Sequence, residues 1–148
     1  MKTAILDFNR TLFDPDNNTL LSGAFESIKE LKGRGFQLIL VAKNEPDRAM
    51  TIEQFGLRSY FDEIYMVNQK TLDLFKELEK KHGFMPNECI IIGDRARSEI
   101  ALGRKRGYIA IWLKHGKFQN ELPPSLDLQP NFIATDWPSI MTIIHSIT

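Results

Sequence analysis

Apolar residues recur along this chain in two alternating patterns: short unbroken runs, and longer stretches with apolar positions three or four apart. Short runs bounded by turn formers predict buried strands, and the longer spacing predicts helices packed by one face. The run Thr3-Ala4-Ile5-Leu6 predicts a first strand that stops at Asp7. Asp14-Pro15-Asp16-Asn17-Asn18 is dense in turn formers and predicts a hairpin-like flap over the strand end. A helix follows from Ser22 or Gly23 to Lys32, with Phe25, Ile28 and Leu31 on one face and glycines at 33 and 35 ending it. Phe36 to Ala42 is a second buried run, stopping at Lys43-Asn44-Glu45-Pro46. Pro46 to Phe55 predicts a helix, with proline in its first turn and Gly56 as its stop.

The alternation continues to the end of the chain. A shorter strand is predicted around Glu63 to Val67, then a helix from Asn68 or Gln69 to Lys81 with Leu72, Phe75 and Leu78 inward. Glu88 to Ile92 is a fourth strand, ending at Gly93-Asp94, and a helix runs from about Ser98 to Arg106. Tyr108 to Leu113 is a fifth strand. Residues 115–130 are expected to form a loop with little regular structure, Asn131 to Thr135 an edge strand, and Pro138 to Ile147 a closing helix. Strands alternating with helices predict an α/β, Rossmann-like three-layer sandwich with a mostly parallel sheet. The pattern alone leaves the strand order open. No repeat or low-complexity segment interrupts it.

Length and composition narrow the class. At 148 residues the chain is expected to form a single domain over residues 1–148, large enough for a core without staples. A formal charge of zero gives no global signal for nucleic acid or an anionic membrane. The single Cys89 excludes an internal disulfide and is expected to be a core residue. The opening Met-Lys-Thr-Ala resembles no secretion signal, and no apolar run reaches membrane-spanning length, so a cytoplasmic location is expected.

The chemistry collects at strand ends. In a parallel sheet every strand delivers its carboxyl end to one edge, where ligands bind. Asp7 with Asn9, Lys43, Lys70 and Asp94 are all expected there. A carboxylate in that position can be a nucleophile or a metal ligand. Two carboxylates can share Mg²⁺, and lysines can neutralise a phosphoryl group. Arg10, Arg95 and Arg97 in the same loops predict a basic rim. Asp14 and Asp16 are also candidate metal ligands, although turn formation is the favoured role. His82, His115 and His145 share no metal-ligand spacing. Trp112 and Trp137 are expected to pack in or near the core, and Arg104-Lys105-Arg106 to form a solvated helix end.

These residues resemble the haloacid dehalogenase-like superfamily of hydrolases. Asp7-Phe8-Asn9-Arg10-Thr11 stands in place of the family's opening Asp-x-Asp-x-Thr, and Leu40-Val41-Ala42-Lys43 in place of the strand ending on a hydroxyl residue. Lys70 matches the third motif, and Gly93-Asp94 through Glu99 the fourth. The resemblance implies a sheet of order 5-4-1-2-3 and Mg²⁺-dependent phosphoryl transfer. Asp7 would form an aspartyl-phosphate, with Lys70 orienting it. Asp7, the backbone carbonyl of Asn9, Asp94 and Glu99 would make up the metal site, Glu99 through water. Arg10, Thr11, position 42 with Lys43, and Arg95 would contact the substrate phosphate. The segments after the first and second motifs are too short for a cap domain, so the site is expected to be open. A phosphorylated substrate is the implied partner, macromolecular substrates and oligomerisation both being compatible with an open site.

Two departures complicate this expectation. Asn9 replaces the Asp that protonates the leaving group and activates water, a function typically worth about 10²–10⁴-fold. Ala42 replaces the phosphate-binding hydroxyl, unless a one-residue shift puts Lys43 at that position. A phosphatase or phosphotransferase with reduced turnover is therefore weighed against a protein that has kept only phosphorylated-ligand or partner binding. A receiver domain fits less well, because its third strand should end on an Asp and here ends at Val67-Asn68.

Overall fold

A computed structural model describes residues 2–148. In chain order the strands and helices are β1 (Thr3–Leu6), β2 (Phe13–Asp14), β3 (Thr19–Leu20), α1 (Ala24–Gly33), β4 (Gln37–Lys43), α2 (Arg48–Gln54), β5 (Glu63–Val67), α3 (Leu72–His82), β6 (Cys89–Gly93), α4 (Glu99–Arg106), β7 (Ile109–Leu113), β8 (Phe132–Ala134) and α5 (Trp137–Ile147). Six of the strands form one parallel sheet of order β5-β4-β1-β6-β7-β8. Counting only these six, the order is the expected 5-4-1-2-3 with the sixth strand added beside the fifth. β2 and β3 pair antiparallel as the anticipated flap.

Side chains alternate across each strand, and the alternation divides the core in two. Ala4, Leu6, Leu38, Leu40, Ile90 and Ile92 face α1 and α5, whose Ile28, Leu31, Ile140 and Ile144 cover them. Ile5, Ile39, Val41, Cys89 and Ile91 face Phe75 and Leu78 of α3 and Ile100 of α4. Helices on both faces make the three-layer α/β sandwich. Cys89 is fully buried, as expected. Among the described residues, the segments after β1 and β4 hold only the flap and single helices, and no cap domain. No helix among them is long and apolar enough to cross a membrane.

Several boundaries differ from the sequence expectation, for local reasons. α2 begins at Arg48 instead of Pro46, because Asp47 adopts a left-handed backbone (φ 63°) that a helix cannot contain. α3 begins at Leu72, later than expected, because Thr71 is its cap: Oγ1 accepts from the Leu74 N–H at 3.2 Å. Residues 115–130 contain two single 3-10 turns, Gly116–Phe118 and Leu126–Leu128. The end of α4 is less solvated than its charge suggested. Arg106 grips Glu79 through two bonds of 2.7 and 2.6 Å.

Candidate active site

The turn after β1 builds the floor of the site. The Thr11, Leu12 and Phe13 N–H groups all donate to the Phe8 carbonyl, and Arg10 N–H donates to Phe13 O. Arg10 takes a positive φ of 59° to close this turn. β1 runs straight into it, so Asp7 is held on the sheet by its own N–H, which donates to Ile92 O at 3.2 Å.

Lys70 comes from the loop just before the Thr71 cap. Its Nζ lies 2.7 Å from Asp7 Oδ1 and 3.8 Å from Glu99 Oε2. Had α3 begun at Asn68, the lysine would lie inside its first turn. The later start leaves it in the loop facing the strand ends. Thr11 Oγ1 lies 3.5 Å from Asp7 Oδ2. Asp94 follows β6, and Glu99 opens α4. Glu99 folds back so closely that a Cβ on Gly93 would fall 2.4 Å from its Cγ. Only glycine leaves room for that carboxylate.

Asp7, Asp94 and Glu99 can each offer an oxygen such that all three lie within 4.8 Å of one another. Their surroundings differ in charge. Burial opposes ionisation of Asp7, but the Lys70 ammonium outweighs it and holds the carboxyl below its usual range. Burial likewise disfavours the Lys70 charge, and Asp7 with Glu99 more than compensate, so its pKa is raised. Asp94 is pushed up to about 9, first by burial and then by repulsion from Asp7 and Glu99. Glu99 rises to about 7 through burial, with Lys70 opposing and Asp7 adding to the shift.

Asp94 Oδ2 and both Glu99 carboxylate oxygens are buried without a hydrogen-bond partner. Buried oxygens in that state are costly unless something neutralises them. Clustered oxygen donors at an accessible site suit Mg²⁺, which takes one or two carboxylates and completes its shell with water and phosphate. The residues present therefore fit that ion.

The floor opens into a cavity of about 710 Å³. Asn9, Arg10, Lys43, Arg95, Arg97 and Lys117 line it along with the acidic cluster. Strand alternation resolves the ambiguity at the end of β4. Ala42 is fully buried on the α1 and α5 side, whereas Lys43 shares the sheet face of Asp7 and lines the cavity. The position that faces the site thus carries an ammonium, and Ala42 has no access to it. Asp14 and Asp16 stay away from the cluster. Asp14 accepts from Asp16 N–H at 3.0 Å and Asn17 Nδ2 at 2.7 Å, a turn-forming role.

Three features escaped the sequence reading. Arg48, 6% exposed, donates to Asn9 Oδ1 at 2.8 Å, pairs with Glu45 at 2.8 Å and stacks 4.9 Å from the Phe8 ring. Phe118 and Lys117 reach the cavity from a stretch that looked featureless. Third, each tryptophan serves a site loop: Trp112 Nε1 donates to Asp94 O at 2.9 Å and Trp137 Nε1 to Thr11 O at 2.7 Å. None of these long-range contacts has a local sequence signal.

A parallel sheet with a strand-end carboxylate, a lysine and two further acids defines a class, and comparison with known proteins agrees. The chain belongs to the haloacid dehalogenase-like hydrolase family, whose model matches residues 1–112. It is 23% identical over 129 residues to a glyceraldehyde 3-phosphate phosphatase of Pyrococcus furiosus, covering 83% of this chain and 53% of that protein. The chain spans about half the length of the curated relatives it matches. Among solved structures, a HAD phosphatase from Thermococcus onnurineus superposes with a TM-score of 0.82 at 11% identity, covering 97% of this chain and 98% of that one. The D,D-heptose 1.7-bisphosphate phosphatase of B. bronchiseptica, complexed with magnesium and phosphate, gives 0.78 at 13% identity, with both chains fully covered.

Proposed function

We propose that this chain is a Mg²⁺-dependent phosphatase or phosphotransferase working through an aspartyl-phosphate on Asp7, with turnover slowed by Asn9. The observation that carries the reading is the buried cluster of Asp7, Asp94 and Glu99 around the Lys70 ammonium. The family membership and the phosphatase names of the relatives agree with it.

The chemistry follows from the charges. Asp7 is ionised and held in place by Lys70, so one of its oxygens can attack phosphorus while the ester oxygen departs with the bonding pair. Water then attacks the acyl phosphate, releasing inorganic phosphate and restoring the carboxylate. Asp7, Asp94, Glu99 and the Asn9 carbonyl would hold Mg²⁺, which neutralises charge on the phosphoryl oxygens. Lys70, and Lys43 in place of a hydroxyl, would add positive charge around the phosphoryl group. Thr11 hydroxyl supports Asp7, and Arg10 and Arg95 face the substrate. Asn9 cannot donate or accept a proton as an acid would. Leaving groups stable as anions are therefore the favoured substrates, and small phosphorylated molecules are the favoured class.

A second reading is ligand binding without turnover, and the Arg48 bond to Asn9 favours it, because that side chain is already engaged. A Mg²⁺-dependent screen over alkyl, aryl and acyl phosphates separates the two, with Asp7→Asn as control. Turnover lost in the control, with phosphate trapped on Asp7 in quenched wild-type protein, supports the enzyme. Turnover that survives Asp7→Asn overturns it. Phosphate-ligand binding without any turnover supports the second reading.

A further inference from the structure

We propose that the cavity mouth is a second anion-binding subsite, so that the substrate carries a phosphate or carboxylate beyond the group transferred. This rests on the phosphatase reading and specifies its substrate class.

The mouth is organised by one aromatic ring. Phe118 sits on the turn after β7. The Arg95 guanidinium lies 3.9 Å from its ring centre, the Lys117 ammonium 5.4 Å and the Arg10 guanidinium 5.6 Å. Three loops, after β1, β6 and β7, thereby deliver cations to one spot. The ring's attraction lets them gather but does not neutralise them. With Arg95 over its face, Phe118 is committed to the cations and is not a free stacking platform.

The acids nearby do not balance this charge. Glu121 bonds Arg95 Nε and the Arg97 N–H, each at 2.9 Å. Asp7 and Glu99 engage Lys70, and Glu45 engages Arg48. Among the described residues, the side chains of Arg10, Lys43, Arg97 and Lys117 have no carboxylate partner. Those four cations line the same cavity, whereas Lys32, Lys81 and Arg106, elsewhere on the neutral chain, are each paired with a carboxylate. The mouth therefore gathers unpaired cations around one cavity.

One phosphoryl group cannot use all of it. The transferred group belongs on the floor beside Asp7 and Lys70, whereas the cavity, at about 710 Å³, is large enough for a whole small organic ligand. Guanidinium forks bind phosphate and carboxylate in the same bidentate way. The mouth thus suits a second anion at the far end of a small substrate, from either source.

Alkylphosphonates of graded length, ending in methyl, carboxylate or a second phosphonate, test this by calorimetry on the wild-type protein with Mg²⁺. Their carbon–phosphorus bond survives, so the readout is independent of turnover. At a matching length, an anionic end should bind about tenfold or more tightly than methyl. Which anionic end gains identifies the source. The advantage should shrink in Lys117→Glu and in Arg97→Glu, both exposed positions, and should fade with added salt. Equal affinity for methyl and anionic ends at every length, or an advantage untouched by both reversals, overturns the subsite. No binding of any phosphonate overturns both the subsite and the phosphatase reading. Turnover of simple esters without discrimination overturns the subsite alone.

Discussion

In the reaction proposed above, Asn9 is the residue that would limit proton transfer, and its neighbour Arg48 would make that limit harder to lift. Arg48 is buried, and its Nη1 donates to Asn9 Oδ1 at 2.8 Å. An Asp at position 9 would meet a guanidinium at ion-pair distance, which lowers a carboxyl's pKa and weakens it as a proton donor. Asn9→Asp alone should therefore gain less than the roughly 10²–10⁴-fold usual for general acid–base catalysis. Adding Arg48→Met should recover more of that gain. Steady-state rates on alkyl and aryl phosphates check this, with the larger effect on alkyl esters. A full gain from the single substitution would show that Arg48 does not tune the position.

Asp94 and Glu99 lead to a prediction about pH. In the folded chain without a cation they keep their protons to about 9 and about 7, against ordinary values of 3.8 and 4.5. Across that window the folded state holds more protons than the unfolded chain, so metal-free stability falls as pH rises. Mg²⁺ competes with those protons and gains as they leave. The increase in melting temperature on adding Mg²⁺ should therefore grow from about pH 5 to about pH 9. Thermal unfolding with and without Mg²⁺ measures it, and an increment independent of pH would argue against these ligands.

Among the elements, α4 shows how tightly the site is packed to the sheet. A Cβ on Gly103 would come 2.4 Å from Ile91 Cγ2, on the strand that leads to Asp94. Alanine is worth up to about 1 kcal/mol over glycine within a helix. Overpacking costs about 1–3 kcal/mol, so Gly103→Ala should destabilise despite the better helix former. Ile91→Leu, which removes the branch at Cβ, should restore part of the loss. Denaturant unfolding of both variants decides. A stabilised Gly103→Ala would mean that α4 can slide on β6, and that Glu99 is less firmly placed than its fit against Gly93 implies.

At this scale the sequence was most informative where one physical rule dominated. The buried runs at Ile5, Ile39 and Ile91 have no competing pattern, so their strands were legible. Helix starts were less so: Lys70 and Pro46 look like helix openers, but Thr71 and Asp47 set the boundaries through a side-chain cap and a left-handed backbone. The β4 end illustrates a different limit. Whether Ala42 or Lys43 faces the site depends on strand register, and a one-residue uncertainty inverts the answer.

For the whole molecule, convergence at one sheet edge could be anticipated from alternation of strands and helices, and with it the meeting of Asp7, Lys70 and Asp94. The family resemblance, not periodicity, supplied the strand order. The rim was only half visible. Arg10, Arg95 and Arg97 lie beside motifs, but Phe118 and Lys117 sit in a stretch whose composition resembles any loop. Only the fold brings Phe118 near Arg10, more than a hundred positions away in the chain.

The two indole tethers give the protein a property that is neither chemical nor mechanical. The chain has two tryptophans, and each donates its ring N–H to the backbone of a loop that carries site residues, at Asp94 and Thr11. Indole fluorescence responds to its hydrogen bond and to nearby charge, so the protein's own emission should register what happens at the strand ends. Filling the acidic cluster with Mg²⁺ should alter the Trp112 contribution most, and binding a phosphoryl group beside Asp7 that of Trp137. Trp112→Phe and Trp137→Phe would separate the two signals, giving each half of the site its own optical channel without an added dye.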